Sequence, residues 1–268
     1  MPKTKKFDQR LEHISADLVS KIAQIDELKG HWIKGAQLSP QILGRLKRSV
    51  LITSTGASTR IEGAMLSDED IEKLMRGIDI QKFTNRDKQE VKGYYELLEN
   101  VFDSWRKLHF NESTIKHFHQ ELLKYVEKDK THRGEYKKRE NKVHMVDEAG
   151  KSIAVLFDTV PAYLTPKEMQ ELVEWTQEAL QEKKYHPLLI VANFLLEFEN
   201  IHPFQDGNGR VGRLLLNNIL LKHNMPPVDI ELKNRQEYYQ ALQAYENYGN
   251  IRPTIELIIK EYRKLNKK

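Results

Sequence analysis

The segment Leu188–Asn200 reads Leu-Leu-Ile-Val-Ala-Asn-Phe-Leu-Leu-Glu-Phe-Glu-Asn and is apolar on nearly every side. A helix without a polar stripe must be wrapped by other elements, so it belongs at the centre of a domain. Pro187 stands at its first turn, where a missing N–H costs nothing. A second apolar run follows a short polar segment: Leu214-Leu215-Leu216, then Ile219-Leu220-Leu221. Two buried helices joined by a short polar loop make a rigid mount, and the rest of the chain must be arranged around it.

The remainder is patterned almost throughout for helices. Phe7, Leu11, Ile14, Leu18, Ile22, Ile25 and Leu28 recur at three and four, which predicts one amphipathic helix closed by Gly30. Ser39-Pro40 reads as a cap with a first-turn proline, opening a helix through Ile42, Leu46 and Val50. Ser67 caps a short helix carrying Ile71, Leu74 and Met75, which stops at Gly77. A long helix is predicted from Arg86 to Leu108 with Val91, Tyr94, Tyr95, Leu98, Val101 and Trp105 inward. The next carries Ile115, Phe118, Leu122 and Val126, and its His117 and His119 point to different faces, which speaks against a metal pair. Thr165-Pro166 with Glu168 starts a helix through Met169, Leu172, Val173 and Trp175. Two more helices follow Pro226-Pro227, over Asn234–Tyr248 and Pro253–Leu265.

One stretch departs from this rhythm. From His132 to Val160 the pattern suits two strands, Val143–Val146 and Ile153–Phe157, joined by a turn at Asp147–Gly150. A lone hairpin is marginal and must lean on the helices.

Composition narrows the class. The 268 residues suit one large domain or two small ones. No cysteine is present, which excludes a disulfide frame and thiolate metal sites. The net charge of +4 is spread along the chain, and Lys137-Lys138-Arg139 and the 264–268 tail read as solvated surface, so direct nucleic-acid binding is not expected. The basic start has no apolar region after it, and no run approaches the ~18 residues of a membrane span. The reading is therefore no membrane insertion and a cytoplasmic location.

The loop between the two buried helices carries the chemistry. Residues His202–Arg213 read His-Pro-Phe-Gln-Asp-Gly-Asn-Gly-Arg-Val-Gly-Arg. Gly207 and Gly209 free the backbone for close approach to a ligand, and Asn208 offers an amide. Arg210 and Arg213 share a helix face and can grip neighbouring phosphates. Asp206 is a hard oxygen ligand suited to Mg²⁺. His202 has the pKa range of a base near neutral pH. The block contains no Gly-Lys-Ser/Thr and follows a helix, so it is neither a Walker A loop nor a Rossmann fingerprint. Taken singly, these residues are turn and surface residues. Together they describe a phosphate cradle with a base at its edge.

The block resembles the signature of the Fic family, His-x-Phe-x-(Asp/Glu)-Gly-Asn-Gly-Arg-x-x-Arg, and matches every fixed position. The resemblance implies an all-α, Fic-like helical bundle with a small β-hairpin flap. It implies transfer of AMP from ATP to a Tyr, Thr or Ser hydroxyl of a target protein, a post-translational modification. By the same resemblance His202 would be the base, and Asp206 would hold Mg²⁺ between the α- and β-phosphates. Gly207, Asn208, Gly209 and Arg210 would form the anion hole, Arg213 would bind the γ-phosphate, and Phe204 would anchor the loop. The 132–160 hairpin would be the flap that docks the target by strand addition. The run from Arg235 resembles the segment closing the adenine side, so Tyr238 or Tyr239 could stack on the base, although helical spacing also suits a core tyrosine. The related Doc branch, which phosphorylates, replaces the second half of the loop, and the intact Gly-Asn-Gly-Arg argues for nucleotidyl transfer.

A second motif lies upstream. Ser58-Thr59-Arg60-Ile61-Glu62-Gly63 resembles the family's inhibitory motif, (Ser/Thr)-x-x-x-Glu-(Gly/Asn). On its own the spacing is ordinary helix decoration. Beside the long block it implies that Glu62 pairs with Arg213 and keeps ATP out of its productive pose, with Ser58 fixing the element and Gly63 ending it. This gives an N-terminal helical inhibitory module, residues 1–85, and a Fic-like catalytic domain, residues 86–268. The alternatives are removal of AMP through the same site with Glu62 assisting water, and a non-catalytic nucleotide-binding helical module. A related transfer from another diphosphate-containing donor also fits. The Phe7–Leu28 surface could serve a homodimer.

Overall fold

The computed structural model of the chain describes residues 5–12, 14–35, 40–78, 85–147 and 151–265. Among them are eleven α-helices and a single two-stranded sheet. The elements that position the loop are α8 (Pro187–Ile201) and α9 (Asn208–Lys222), which pack against each other. Every residue of α8 from Leu188 to Leu196 is buried, as is every residue of α9 from Asn208 to Leu220, so the expectation from the two apolar runs holds.

Around this pair stand α5 (Asn85–Ser104), α6 (Glu112–Leu122), α7 (Thr165–Glu182), α10 (Arg235–Tyr248) and α11 (Arg252–Leu265). The N-terminal helices α1 (Lys5–Gln9), α2 (Ala16–Gly35), α3 (Pro40–Ile61) and α4 (Asp68–Met75) share one hydrophobic cluster with them. Phe7 is buried against Trp175 at 5.5 Å between ring centres, and the Trp175 indole donates to Asp8 at 3.1 Å. Helix α3 packs on α5, and α2 on α11. No described helix is long and apolar enough to cross a membrane.

Several local expectations change. The first predicted helix is two, α1 ending at Gln9 and α2 starting at Ala16, and α2 runs past Gly30 to Gly35. Helix periodicity continues across the break because Leu11 and Ile14 still pack inward or partly so. On α3 it is Leu51 that is buried, while Val50 is exposed. Helix α5 ends at Ser104, leaving Trp105 in a turn. Thr165 does not cap α7: its hydroxyl donates back to Pro161 O, and the cap position falls on Leu164. Ser67 does cap α4, reciprocally with Asp70. The Ser39 cap, the side chains of Leu28, Ile42 and Leu46, turn residues 148–150 and the last residues, 266–268, lie outside the described residues.

The hairpin forms as expected: β1 (Lys142–Val146) pairs antiparallel with β2 (Ser152–Asp158), with Lys142 opposite Asp158 and Val146 opposite Ser152. Asp147 closes the turn, its N–H donating to Lys151 O at 3.0 Å and its Oδ1 accepting from Lys151 N–H at 2.9 Å. The sheet leans on α10.

Candidate active site

Helix α8 ends at His202, which takes the left-handed conformation, φ 49° and ψ 61°. A non-glycine residue there carries a strain of about 1 kcal/mol, so the surroundings must hold it. They do so through the backbone. Asn141, just before β1, donates its amide to His202 O (3.2 Å) and Phe204 O (2.7 Å). The Lys137 N–H donates to Pro203 O at 2.7 Å, and its buried ammonium donates to Ile201 O, Asn141 Oδ1 and Thr159 Oγ1 at 2.8–2.9 Å. Burial pushes the Lys137 amine down to about 8, with Glu140 pulling weakly the other way.

Two further residues fix the loop. Asn208 clamps Phe204 from both sides: its Oδ1 accepts the Phe204 N–H and its amide donates to Phe204 O, both at 2.8 Å. The fully buried Phe204 ring stacks flat on His119, 3.9 Å between centres and 5° between planes. His119 Nδ1 accepts from the Gly134 N–H (2.8 Å), so Nε2 carries the hydrogen and donates to Asp206 O (3.0 Å). Burial lowers its pKa to about 4, which keeps that tautomer neutral.

Gly207 takes φ 80° and caps α9. The N–H groups of Asn208, Gly209 and Arg210 precede the first turn's closing bond, Val211 N–H to Gly207 O at 3.0 Å. They form the positive end of a helix dipole facing the cavity. A Cβ on Gly209 would meet Glu62 Oε1 at 2.2 Å, so only glycine admits a group this close to the turn.

Helix α3 delivers that group. Gly63, φ 97°, turns the chain away after Ile61, and Arg60 ties the outgoing segment by donating to Leu66 O and Asp68 Oδ1, both at 2.9 Å. Ser54 donates to Asp229 at 2.6 Å, anchoring α3 to the C-terminal half. The Arg213 guanidinium is buried. It donates to Glu62 Oε1 (2.6 Å), Ser58 Oγ (2.8 Å) and Ser58 O (2.9 Å). Burial alone would lower the Arg213 pKa, but the charge and hydrogen bond of Glu62, together with Tyr238 and Tyr94, raise it on balance and hold the group protonated. Glu62 has the more open end of this pair, its side chain 36% exposed against 5% for Arg213.

At the other end of the turn, Asp206 Oδ1 accepts from the Gly207 N–H (2.6 Å) and Arg210 (3.2 Å), while Oδ2 accepts from Arg86 (2.7 Å). Burial would raise its pKa, but Arg210, the Gly207 N–H and Arg86 overcome that and keep it ionised. Arg210 also pairs with Glu90. Carboxylate oxygens of Glu90, Asp129 and Asp206 lie within 4.8 Å of one another.

A cavity of about 410 Å³ opens between these groups, lined among others by Glu62, His202, Arg210, Val143, Tyr239 and Leu242. His202 Nδ1 is buried and faces Glu199 Oε2 at 3.5 Å. Glu199 in turn accepts from the Tyr238 hydroxyl at 3.0 Å. Tyr238 lies with its ring 6.0 Å from the Arg213 guanidinium carbon, and the Tyr239 hydroxyl accepts from the Val146 N–H at 3.4 Å. Both tyrosines are buried and both line the cavity.

The structure thus brings together Ser58, Glu62, His202, Asp206, Gly207, Gly209, Arg210, Arg213, Tyr238 and Tyr239. The Asn208 amide also holds the loop, donating one of its two hydrogens to Phe204 O at 2.8 Å. Lys137 is corrected from solvated surface to a buried support. Sequence reasoning misses His119, Asn141, Glu199 and Arg86. Only Glu199 leaves a sequence signal, one of two acids on a mostly apolar helix, three residues before His202. The others act on backbone atoms or across long sequence separations.

Residues 109–220 match the model of the Fic/DOC family. The chain is similar to the Protein adenylyltransferase Fic of Aedes aegypti, 38% identical over 96 residues, which is 35% of this chain and 19% of that protein. The matched stretch spans about a fifth of that relative's length. It is also similar to a solved Fic family protein from Desulfovibrio desulfuricans G20, at 26% identity and TM-score 0.78, covering 95% of this chain and 75% of that one. A Fic domain containing signaling protein from Bacteroides thetaiotaomicron VPI-5482 shares the fold at 24% identity and TM-score 0.77, covering 90% of this chain and 94% of that one. The match to the Fic/DOC family model is confined to residues 109–220, which hold the loop, α8 and α9 up to Leu220.

Proposed function

We propose that the chain is a protein adenylyltransferase that transfers AMP from ATP to a hydroxyl side chain of a target protein, and that Glu62 inhibits it from within. The observation that carries this reading is the Glu62–Arg213 pair at 2.6 Å, over an open helix N-terminus and in one cavity with His202. A carboxylate there occupies the cation that a terminal phosphate would need. The relative from Aedes aegypti bears the name of that activity.

The chemistry follows from the placement of groups. Nδ1 of His202 is buried toward Glu199, so Nε2 is the nitrogen left for the target hydroxyl. Glu199 favours the hydrogen on Nδ1, which leaves Nε2 as the acceptor. The hydroxyl oxygen bonds to the α-phosphorus as the bond from that phosphorus to the bridging oxygen breaks. Pyrophosphate leaves, and the hydroxyl proton passes to Nε2. The first N–H groups of α9 and the Arg210 guanidinium face the phosphate charge. Arg213, once free of Glu62, holds the γ-phosphate. Val143, Tyr239 and Leu242 offer an apolar wall for adenine. An ionised, oxygen-only set at Asp206 fits Mg²⁺; when bound, the ion would neutralise charge on the α- and β-phosphates. The target segment would add to the hairpin, where Ile153 and Val155 are exposed on β2. A homodimer and a cytoplasmic location belong to the same reading and rest on sequence alone.

The test is incubation with α-labelled ATP and Mg²⁺, comparing wild type, Glu62→Gly, and Glu62→Gly with His202→Ala. Label on the Glu62→Gly protein alone supports both chemistry and brake. Equal label on wild type and Glu62→Gly removes the brake, and no label on any of them, with ATP still bound, removes the transferase.

A further inference from the structure

We propose that Arg86 is a resident counter-ion that competes with the divalent metal for Asp206, giving the site a second lock at its metal end. The inference rests on the metal role assigned to Asp206 above. Of the two Asp206 oxygens, Oδ1 is committed to the Gly207 N–H and Arg210. Oδ2 is the one left for a metal, and the Arg86 guanidinium sits on it at 2.7 Å. The same guanidinium meets Glu90 Oε1 at 2.6 Å and Asp129 Oδ2 at 3.2 Å. Arg86 therefore occupies the point on which three carboxylates converge.

Charge explains why something positive belongs there. Glu90, Asp129 and Asp206 carry three negative charges, and Arg86 and Arg210 return two, leaving one. Asp129 Oδ2 is buried without a hydrogen bond, its side chain 9% exposed, so without a nearby cation its charge would be costly. A divalent ion satisfies the cluster as well as a guanidinium does, but the two together reverse its sign. Arg86 differs from Arg210 in being able to leave. Its side chain is 41% exposed, against 4% for Arg210, and it extends from the first turn of α5. Its ion pairs go to Glu90, Asp129 and Asp206 and not to Glu62, so release of the Glu62 brake leaves Arg86 in place.

Competition is reciprocal: metal binding expels Arg86 as much as Arg86 opposes metal. Titration of the full chain with Mn²⁺ at saturating ADP, read by the paramagnetic resonance of free Mn²⁺, measures this without catalysis. Arg86→Gln should bind Mn²⁺ on the order of ten-fold tighter than wild type, the scale expected for removing a unit charge a few ångströms away at a half-exposed site. Arg86→Lys should stay near wild type, and Asp206→Asn should lose the site. In wild type, modification of Arg86 by phenylglyoxal, read by peptide mass, should rise when Mn²⁺ is added. Equal or weaker Mn²⁺ binding by Arg86→Gln, or unchanged modification of Arg86, overturns the proposal and leaves the metal reading standing. Unchanged binding by Asp206→Asn overturns both.

Discussion

The catalytic loop is held differently on its two sides. On the flap side its contacts are buried, neutral or fully satisfied, and made to backbone: Lys137 and Asn141 on residues 201–204, Asn208 on Phe204, His119 on Asp206 O. On the α3 and α5 side, beside the buried contacts of Arg213 with Ser58 and of Arg210 with Glu90, stand two ion pairs partly open to solvent: Glu62 on Arg213 and Arg86 on Asp206. Backbone contacts of the first kind set geometry and persist as long as the fold does. Ion pairs with a half-exposed partner are worth little and can be exchanged for a ligand of the same charge. The loop is therefore held firmly on one side and by exchangeable ion pairs on the other, which is what the proposed removable brake on a pre-formed centre would require.

The largest effect should come from the firmly held side. In the Glu62→Gly protein, His202→Ala should lower initial labelling roughly 10²–10⁴-fold, the usual size of a lost general base. ATP affinity by calorimetry should stay unchanged, and a fall in affinity would mean that His202 supports the cradle instead.

His119 gives a pH test of the same side. Its pKa lies near 6.5 unfolded and about 4 folded, so the fold prefers the neutral ring. Its contribution is complete above about pH 6.5 and is lost as pH falls toward 4, by on the order of 3 kcal/mol in all. Urea unfolding of wild type should weaken over that window, and His119→Gln should flatten the slope. An unchanged slope would place the acid sensitivity elsewhere.

On the side of the ion pairs, Glu62→Gly should raise initial labelling roughly 5–150-fold, the range of an ordinary coupling energy. Arg213 keeps its Ser58 contacts in that variant but loses the counter-charge of Glu62, so thermal stability should fall. Ser58→Ala should do less, raising labelling several-fold at most, because it removes a single hydrogen bond worth roughly 1 kcal/mol. If Ser58→Ala equalled Glu62→Gly, the brake would lie in the helix position and not in the carboxylate.

Legibility in the sequence follows the same division. The two central helices, the hairpin and the residues of both motifs are readable, because apolar runs and glycine–polar blocks are local signals. The Glu62–Arg213 pair is readable only as a resemblance, since nothing in Ser58 or Glu62 says that Arg213 lies beside them. The supports of the firmly held side are almost invisible. Lys137 reads as one of three basic surface residues, and only burial shows that its ammonium bonds to Ile201 O. Helical spacing speaks against a metal pair of His119 with His117, but its role comes from a ring stacked on Phe204, which no spacing announces. The break after α1 escapes the pattern because Leu11 and Ile14 keep a helical rhythm across a turn.

Amide hydrogen exchange of wild type and Glu62→Gly tests the division most directly. The probes are the N–H groups of Lys137, Phe204 and Gly134, which bond to Pro203 O, Asn208 Oδ1 and His119 Nδ1. The account predicts unchanged protection at all three, with faster exchange confined to the end of α3 around Glu62 and Gly63. Loss of protection at Lys137 and Phe204 in Glu62→Gly would contradict it, because the loop would then depend on its brake for its shape.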